Sequence, residues 1–170
     1  MLRVREDQPI IVEGIHGLNN RLTADIPDKL KYKIYISALT QLNLDDHNRI
    51  RTTDVRLLRR MVRDHQFRHS PVERTMDMWD SVRAGEEKHI FPFQEEADLM
   101  FNSSLYYELA VLKKYAYPLL NAVAEDSRWY TRALRMLKFL NYFRTADVED
   151  EIPPTSILRE FIGGCTFYIE

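Results

Sequence analysis

Pro9-Ile10-Ile11-Val12-Glu13-Gly14-Ile15-His16-Gly17, PIIVEGIHG in one-letter code, is a short apolar run interrupted by one carboxylate and closed by two glycines. Its length and its β-branched residues predict a strand over residues 10–15, buried on both faces as in a parallel sheet. A second strand is expected over residues 31–37, KYKIYIS, where side chains alternate in character. Between them, LNNRLTADIPDKL offers one short helical segment and a turn at Pro27, about the dozen residues that a parallel crossover needs. Outward from PIIVEGIHG the expectation is therefore an α/β fold, a mostly parallel sheet flanked by helices, with a helix-rich C-terminal half.

Downstream the period changes to that of a helix. Residues 53–68, TDVRLLRRMVRDHQFR, place Leu57, Leu58, Met61 and Val62 on one side and Arg56, Arg59, Arg60 and Arg63 on the other. Ser70, Pro71 and Glu73 then spell a capped helix start, with the helix expected to run to about Gly85. A short strand is expected near residues 99–102. Two longer helices follow, over 106–124 with a kink or break at Pro118, and over 127–143 with Leu134, Leu137 and Leu140 facing inward. A last helix is expected over 156–162, stopped by Gly163 and Gly164.

The chain has 170 residues, 45% of them hydrophobic, which fits one globular domain. Its 24 basic and 26 acidic residues leave a net charge of -2, so no global field draws nucleic acid or an anionic membrane, and anion binding must be local. Cys165 is the single cysteine and cannot form an internal disulfide. No run has the pattern of a signal peptide or the length of a membrane span, and the expected setting is cytoplasmic.

Three groups of residues bear on chemistry. Arg56, Arg59, Arg60 and Arg63 fall within about a third of the helix circumference at roughly 100° per residue. Like charges so placed repel unless something anionic compensates. Phosphate would do so through bidentate guanidinium contacts; a solvated face neutralised by Asp54, Asp64 and Glu73 is the plainer alternative. Were phosphate the answer, replacing Arg56 and Arg59 by Gln would leave stability unchanged or raised. Glu13 is at the carboxyl end of the first expected strand, where open α/β sheets collect ligands and where a carboxylate can help hold Mg²⁺. On its own, the position favours the plainer alternative, a glutamate that accepts backbone hydrogen bonds in a Gly-rich turn. His65 and His69 have the i, i+4 spacing of a metal pair but lack a third ligand, and the aromatic residues of the C-terminal helices are at core spacing.

Taken together, VEGIHGLNNRL, KIYISALTQLNLDDHNRIRTTDVRLLRRMVRDHQFR, MWDSVRAGEEKHIFPFQEEADLMFNSSLYYELAVLKKYAYPLL and IPPTSILREFIGG resemble the uridine kinase branch of the phosphoribulokinase/uridine kinase family. The likeness is strongest to bacterial nucleoside kinases with threonyl-tRNA-synthetase-like modules ahead of the kinase, and it covers residues 10–168. It implies a P-loop kinase fold and transfer of the γ-phosphoryl of ATP, with Mg²⁺, to the 5′-hydroxyl of a nucleoside such as uridine or cytidine. It implies Glu13 as the strand-end acidic residue that helps hold Mg²⁺. Arg56 and Arg59 match the family's phosphate- and acceptor-contacting segment, and Arg63 and Arg68 match its lid. The implied partners are the nucleoside and ATP, with no membrane or nucleic acid, and a homo-oligomer is compatible.

Two departures stand out. The family requires a G-x-x-x-x-G-K-[ST] loop, yet the five glycines are at 14, 17, 85, 163 and 164 and no Gly-Lys pair occurs. The expectation is a C-terminal portion of such a kinase, without the family's catalytic aspartate and inactive alone, or else a non-catalytic remnant that binds a nucleotide, a phosphorylated ligand or a partner through its arginine face. The second departure is His69, which stands where the family has glycine.

Overall fold

The computed structural model describes Arg5 and residues 7–167. The chain clusters into two compact units, residues 1–35 with 81–101 and residues 36–80 with 102–170.

Strand β1, Ile34–Ser37, and strand β2, Leu99–Asn102, form a two-stranded sheet. Within the first unit the Asp98 and Leu99 amides donate to Lys33 O at 2.9 and 3.1 Å; within the second, the Ser103 amide donates to Ser37 O at 2.8 Å. Both strands thus advance in the same direction, and the pair is parallel. β1 alternates as its sequence does, with Tyr35 and Ser37 buried and Ile34 and Ile36 exposed.

The expected strand over residues 10–15 does not form. The segment is irregular, turning through Gly14, and Ile10, Ile11, Val12 and Ile15 are 59, 88, 57 and 60% exposed. A strand is completed by a neighbour's backbone groups, and among the described residues none is offered to this one. The connection to β1 contains only two short 3₁₀ turns, Asn20–Thr23 and Asp28–Leu30, both without buried residues.

The second unit holds the core. Helix α1, Thr52–Arg68, buries Val55, Leu57, Leu58, Met61 and Val62, and also Asp54, Arg59 and Asp64. A helix covered on so much of its circumference is central rather than peripheral, and of its arginines it is Arg59 that this takes out of solvent. It packs on α3, Glu108–Asn121, and on α5, Arg159–Ile162, and α3 packs on α4, Tyr130–Leu140. Helix α2, Val72–His89, begins just after Pro71 and passes through Gly85 to His89. Likewise α3 passes through Pro118 without a break; the Ala122 amide donates to Pro118 O at 3.1 Å. The buried face of α4 is Ala133, Met136, Phe139 and Leu140, while Leu134 is exposed, a rotation set by packing on α3 rather than by the leucine spacing. The last helix is shorter than expected and ends at Gly163, whose φ of 91° suits glycine.

Candidate functional site

α1 brings the sequence-predicted arginines into the second unit, and their partners decide what they can do. Arg59 is buried. Its Nε donates to Glu108 Oε2 on α3 at 2.7 Å, an Nη donates to the same oxygen, and Nη2 also donates to Ser103 O at 2.7 Å. The guanidinium lies 5.1 Å from the centroid of the Phe161 ring. Burial pushes the Glu108 carboxyl above its ordinary range, and the Arg59 charge and hydrogen bonds oppose that rise.

The other arginines point to other carboxylates. Arg63 donates to Glu160 on α5 at 2.9 Å, and Arg68 donates to Asp64 one turn back at 2.9 Å. Asp64, itself buried, also meets Arg60 at 3.2 Å and accepts from the Thr75 hydroxyl at 3.3 Å. Arg56 is half-buried on the same helix. Asp54 holds Arg135 of α4 through two hydrogen bonds of 2.8 Å. Arg59, Arg63 and Arg68 therefore do not converge on one ligand position: each is directed to a different acid of the chain. Of the neutralising acids anticipated, Asp64 does serve Arg68 and Arg60, while Arg59 and Arg63 take Glu108 and Glu160 rather than Asp54 or Glu73.

α1 ends where its sequence departs from the family. His69 takes the left-handed conformation, φ 49° and ψ 33°, and its amide donates to Asp64 O. It is the one described non-glycine residue with positive φ. This is the C-terminal position that helices most often give to glycine.

At the carboxyl ends of β1 and β2 the second unit has a small notch lined by Thr40, Gln41, Asn102, Ser104, Tyr106 and Glu108. The Asn102 carboxamide pairs with both backbone groups of Leu39, accepting from its amide at 2.9 Å and donating to its carbonyl at 3.0 Å, which fastens the loop after β1 to the end of β2. Thr40 Oγ1 is buried with no hydrogen-bond partner among the described residues. The notch holds about 60 Å³, far below the roughly 300 Å³ of a small-molecule pocket.

Glu13 belongs to the first unit and is exposed in the irregular segment before Gly14. No group of three or more His, Cys, Asp or Glu side chains among the described residues can hold a metal ion. The residues present therefore do not make a Mg²⁺ site by themselves, and His65 and His69 gain no third ligand. A wider, open groove of the first unit is lined by Arg21, Lys31 and Lys33, and both lysines are already answered within it: Lys31 meets Asp28 at 2.9 Å and Lys33 meets Glu96 at 3.3 Å.

No protein-family model, no curated protein and no solved structure matches the chain. No helix among the described residues is long and apolar enough to cross a membrane.

Periodicity indicated where the arginines would stand but not their partners. Glu108 lies 49 positions from Arg59 in the chain, and Glu160 lies 97 from Arg63. The available signal for the notch was local: Asn102 ends β2, Ser104 follows it two residues on, and Thr40 comes three residues after the end of β1.

Proposed function

We propose that the chain is a portion of an ATP-dependent nucleoside kinase of the uridine kinase type, with a P-loop kinase fold completed by a polypeptide segment that carries the phosphate-binding loop. The observation that carries this reading is the parallel pairing of β1 and β2 with the arginine-bearing α1 in the connection between them, the arrangement that a kinase of this class needs to hang a lid from its sheet. The left-handed backbone at His69 is a second support, because it gives a physical reason for glycine at that position in the family.

Within this reading Arg59 serves the fold, while Arg56, Arg63 and Arg68 supply phosphate contacts. Arg63 and Arg68 have side chains 30 and 58% exposed, so each can exchange a carboxylate for a phosphate oxygen without being carried out of the core. Such contacts neutralise charge on a migrating phosphoryl group. ATP and Mg²⁺ enter as co-substrate and its counterion, with Glu13 as a protein ligand only in company with phosphate oxygens and water.

The test is transfer of radiolabel from γ-labelled ATP to uridine, run on the chain alone and on the product of the whole open reading frame. Transfer is expected only where a G-x-x-x-x-G-K-[ST] sequence accompanies the chain. Transfer by the chain alone, or a whole reading frame with no such sequence, overturns the proposal. The absence of any Gly-Lys pair in the present sequence favours a second reading, a non-catalytic module that binds a nucleotide or phosphorylated ligand. That module predicts a rise in thermal midpoint with Mg·ATP but no transfer in either format.

A further inference from the structure

The notch of the second unit contains a polar group that the fold leaves unused. Thr40 lines the notch and is 3% exposed, and its hydroxyl oxygen is buried without a hydrogen-bond partner among the described residues. The rest of the residue is satisfied: its amide donates to Ala38 O at 3.1 Å, and its carbonyl accepts from Arg49 Nε at 3.3 Å and from Nη2 at 2.9 Å. A buried hydroxyl without a partner is destabilising, and one whose backbone is fastened on both sides is set to receive a partner from outside the fold. Two further groups of the notch keep hydrogen-bonding capacity. Ser104 Oγ donates to Leu39 O at 3.3 Å, which leaves lone pairs on the oxygen to accept with. Glu108 is 1% exposed, and Arg59 is bonded to one of its two carboxylate oxygens, Oε2.

Charge and size narrow the ligand. No lysine, arginine or histidine is among the described residues that line the notch, and Glu108 opposes an anion there. A cation is opposed in turn by Arg59, whose charge already answers Glu108. What remains is a neutral group that both donates and accepts, which a hydroxyl does. The 60 Å³ of space takes on the order of two water-sized groups, at roughly 30 Å³ of liquid volume each. Two hydroxyls on adjacent carbons fill it, and Leu42, Leu105 and Leu109 complete the lining with apolar surface for those carbons. We propose that the notch binds the vicinal diol of a sugar, the 2′,3′-hydroxyls of a ribose, with Thr40 Oγ1, Ser104 Oγ and Glu108 as its hydrogen-bond partners. That the sugar is a ribose rests on the nucleoside kinase reading, in which both the acceptor nucleoside and ATP carry one; the remainder of either molecule stays outside so small a space.

The test is an NMR titration of the 170-residue chain with uridine and with adenosine, each against its 2′,3′-dideoxy analogue, to about 20 mM. Saturable shifts are expected at the amides of Thr40 and Ser104, with a dissociation constant on the order of millimolar because the site grips few atoms. Each dideoxy analogue is expected to bind at least about tenfold more weakly than its parent. A response to uridine alone makes the acceptor nucleoside the source of the diol, a response to adenosine alone makes it ATP, and a response to both marks a site that reads the diol and not the base. Thr40→Val keeps the shape of the side chain and removes the orphan hydroxyl, so it is expected to weaken binding about threefold to tenfold while the melting midpoint stays equal or rises. A hydroxyl that only holds a structural water gives the opposite pair of results, a lower midpoint with an unaltered titration, and overturns the inference. So do a chain that shows no saturable shift with either nucleoside and dideoxy analogues that bind as tightly as their parents. Phosphoryl transfer by the whole reading frame reads the kinase proposal separately: titration without transfer refutes the kinase and leaves the diol site, and transfer without titration does the reverse.

Discussion

Removing the Arg59 guanidinium tests what the arginine helix is for. If α1 displayed its arginines to a ligand, Arg59→Gln would relieve like-charge repulsion and leave stability equal or higher. The structure requires the reverse. Arg59 and Glu108 have side chains 9 and 2% exposed, so no discount for solvent applies, and deleting one partner of such a pair leaves an uncompensated buried charge at about 3–5 kcal/mol. For a chain of this size that is a fall in melting midpoint of roughly 6–20 °C. The deficit also has a pH signature. With Arg59 gone, burial, the largest influence on Glu108, is opposed only by the backbone hydrogen bond at Leu105 and raises its folded-state pKa above the unfolded value. Stability from such a group is present below the unfolded pKa and lost as pH rises through the folded one, so the deficit of Arg59→Gln is greatest at neutral pH and shrinks toward pH 4. The double variant Arg59→Met, Glu108→Leu removes both charges, and is expected to return to within about 1–2 kcal/mol of wild type, the remainder reflecting the donor lost by Ser103 O. Thermal and urea unfolding of wild type, Arg59→Met, Glu108→Leu and the double variant closes the cycle. Single variants that lose less than about 1 kcal/mol, or a double variant as unstable as the sum of the singles, would refute the structural role of the pair.

Three further outcomes follow from other contacts. Asp64→Ala leaves Arg60, Arg68 and the Thr75 hydroxyl without their shared acceptor; because both arginines can reach water, about 1–3 kcal/mol of stability is expected to go, read by urea unfolding. His69→Gly relieves a left-handed backbone at the end of α1 and is expected to stabilise by about 0.5–1 kcal/mol, whereas His69→Ala keeps the strain and does not. His89 meets His16 edge-on at 4.7 Å, and burial first, then the charges of His16 and Lys88, lower its pKa from 6.5. Its NMR titration is expected below 6.5 and to move upward in His16→Ala; stability from this group is present above 6.5 and lost as pH falls through the lowered value, and a midpoint at or above 6.5 contradicts the contact.

What could be read from the sequence was whatever depends on near neighbours. The 3.6-residue period located α1 almost to the residue, and the alternation of KYKIYIS gave β1 its buried and exposed faces. The failures share one cause. Residues 10–15 have the composition of a strand, but a strand requires another chain segment's hydrogen bonds, and composition does not supply them. Gly85 and Pro118 signal helix ends locally, yet both α2 and α3 continue through them because tertiary packing outweighs about 1 kcal/mol for a glycine and about 3 for a proline. Leu134, Leu137 and Leu140 and the observed Ala133, Met136 and Leu140 are both acceptable helical stripes, differing by a rotation that only the surface of α3 decides.

The arginines pose the deeper question of why so charged a helix lies in the middle of a unit. Its contacts supply an answer in terms of specificity. Each neighbour of α1 carries one complementary charge to it: Glu108 on α3 meets Arg59, Glu160 on α5 meets Arg63, and Arg135 on α4 meets Asp54. The apolar stripe of Leu57, Leu58, Met61 and Val62 would accept several rotations and slides of those helices at little difference in buried area. A rotation or slide that separates one of these pairs leaves a charge desolvated without its partner, at several kcal/mol where the group is buried. The apolar residues thus supply most of the free energy of association, and the three pairs select which packing of α3, α4 and α5 around α1 receives it. On that logic the polarity of each pair matters less than its position. It also explains why an arginine helix can belong to a chain whose total charge is close to neutral: Asp54, Arg59 and Arg63 are matched across helix contacts, Arg60 and Arg68 meet Asp64 within α1, and charge so matched does not act at a distance.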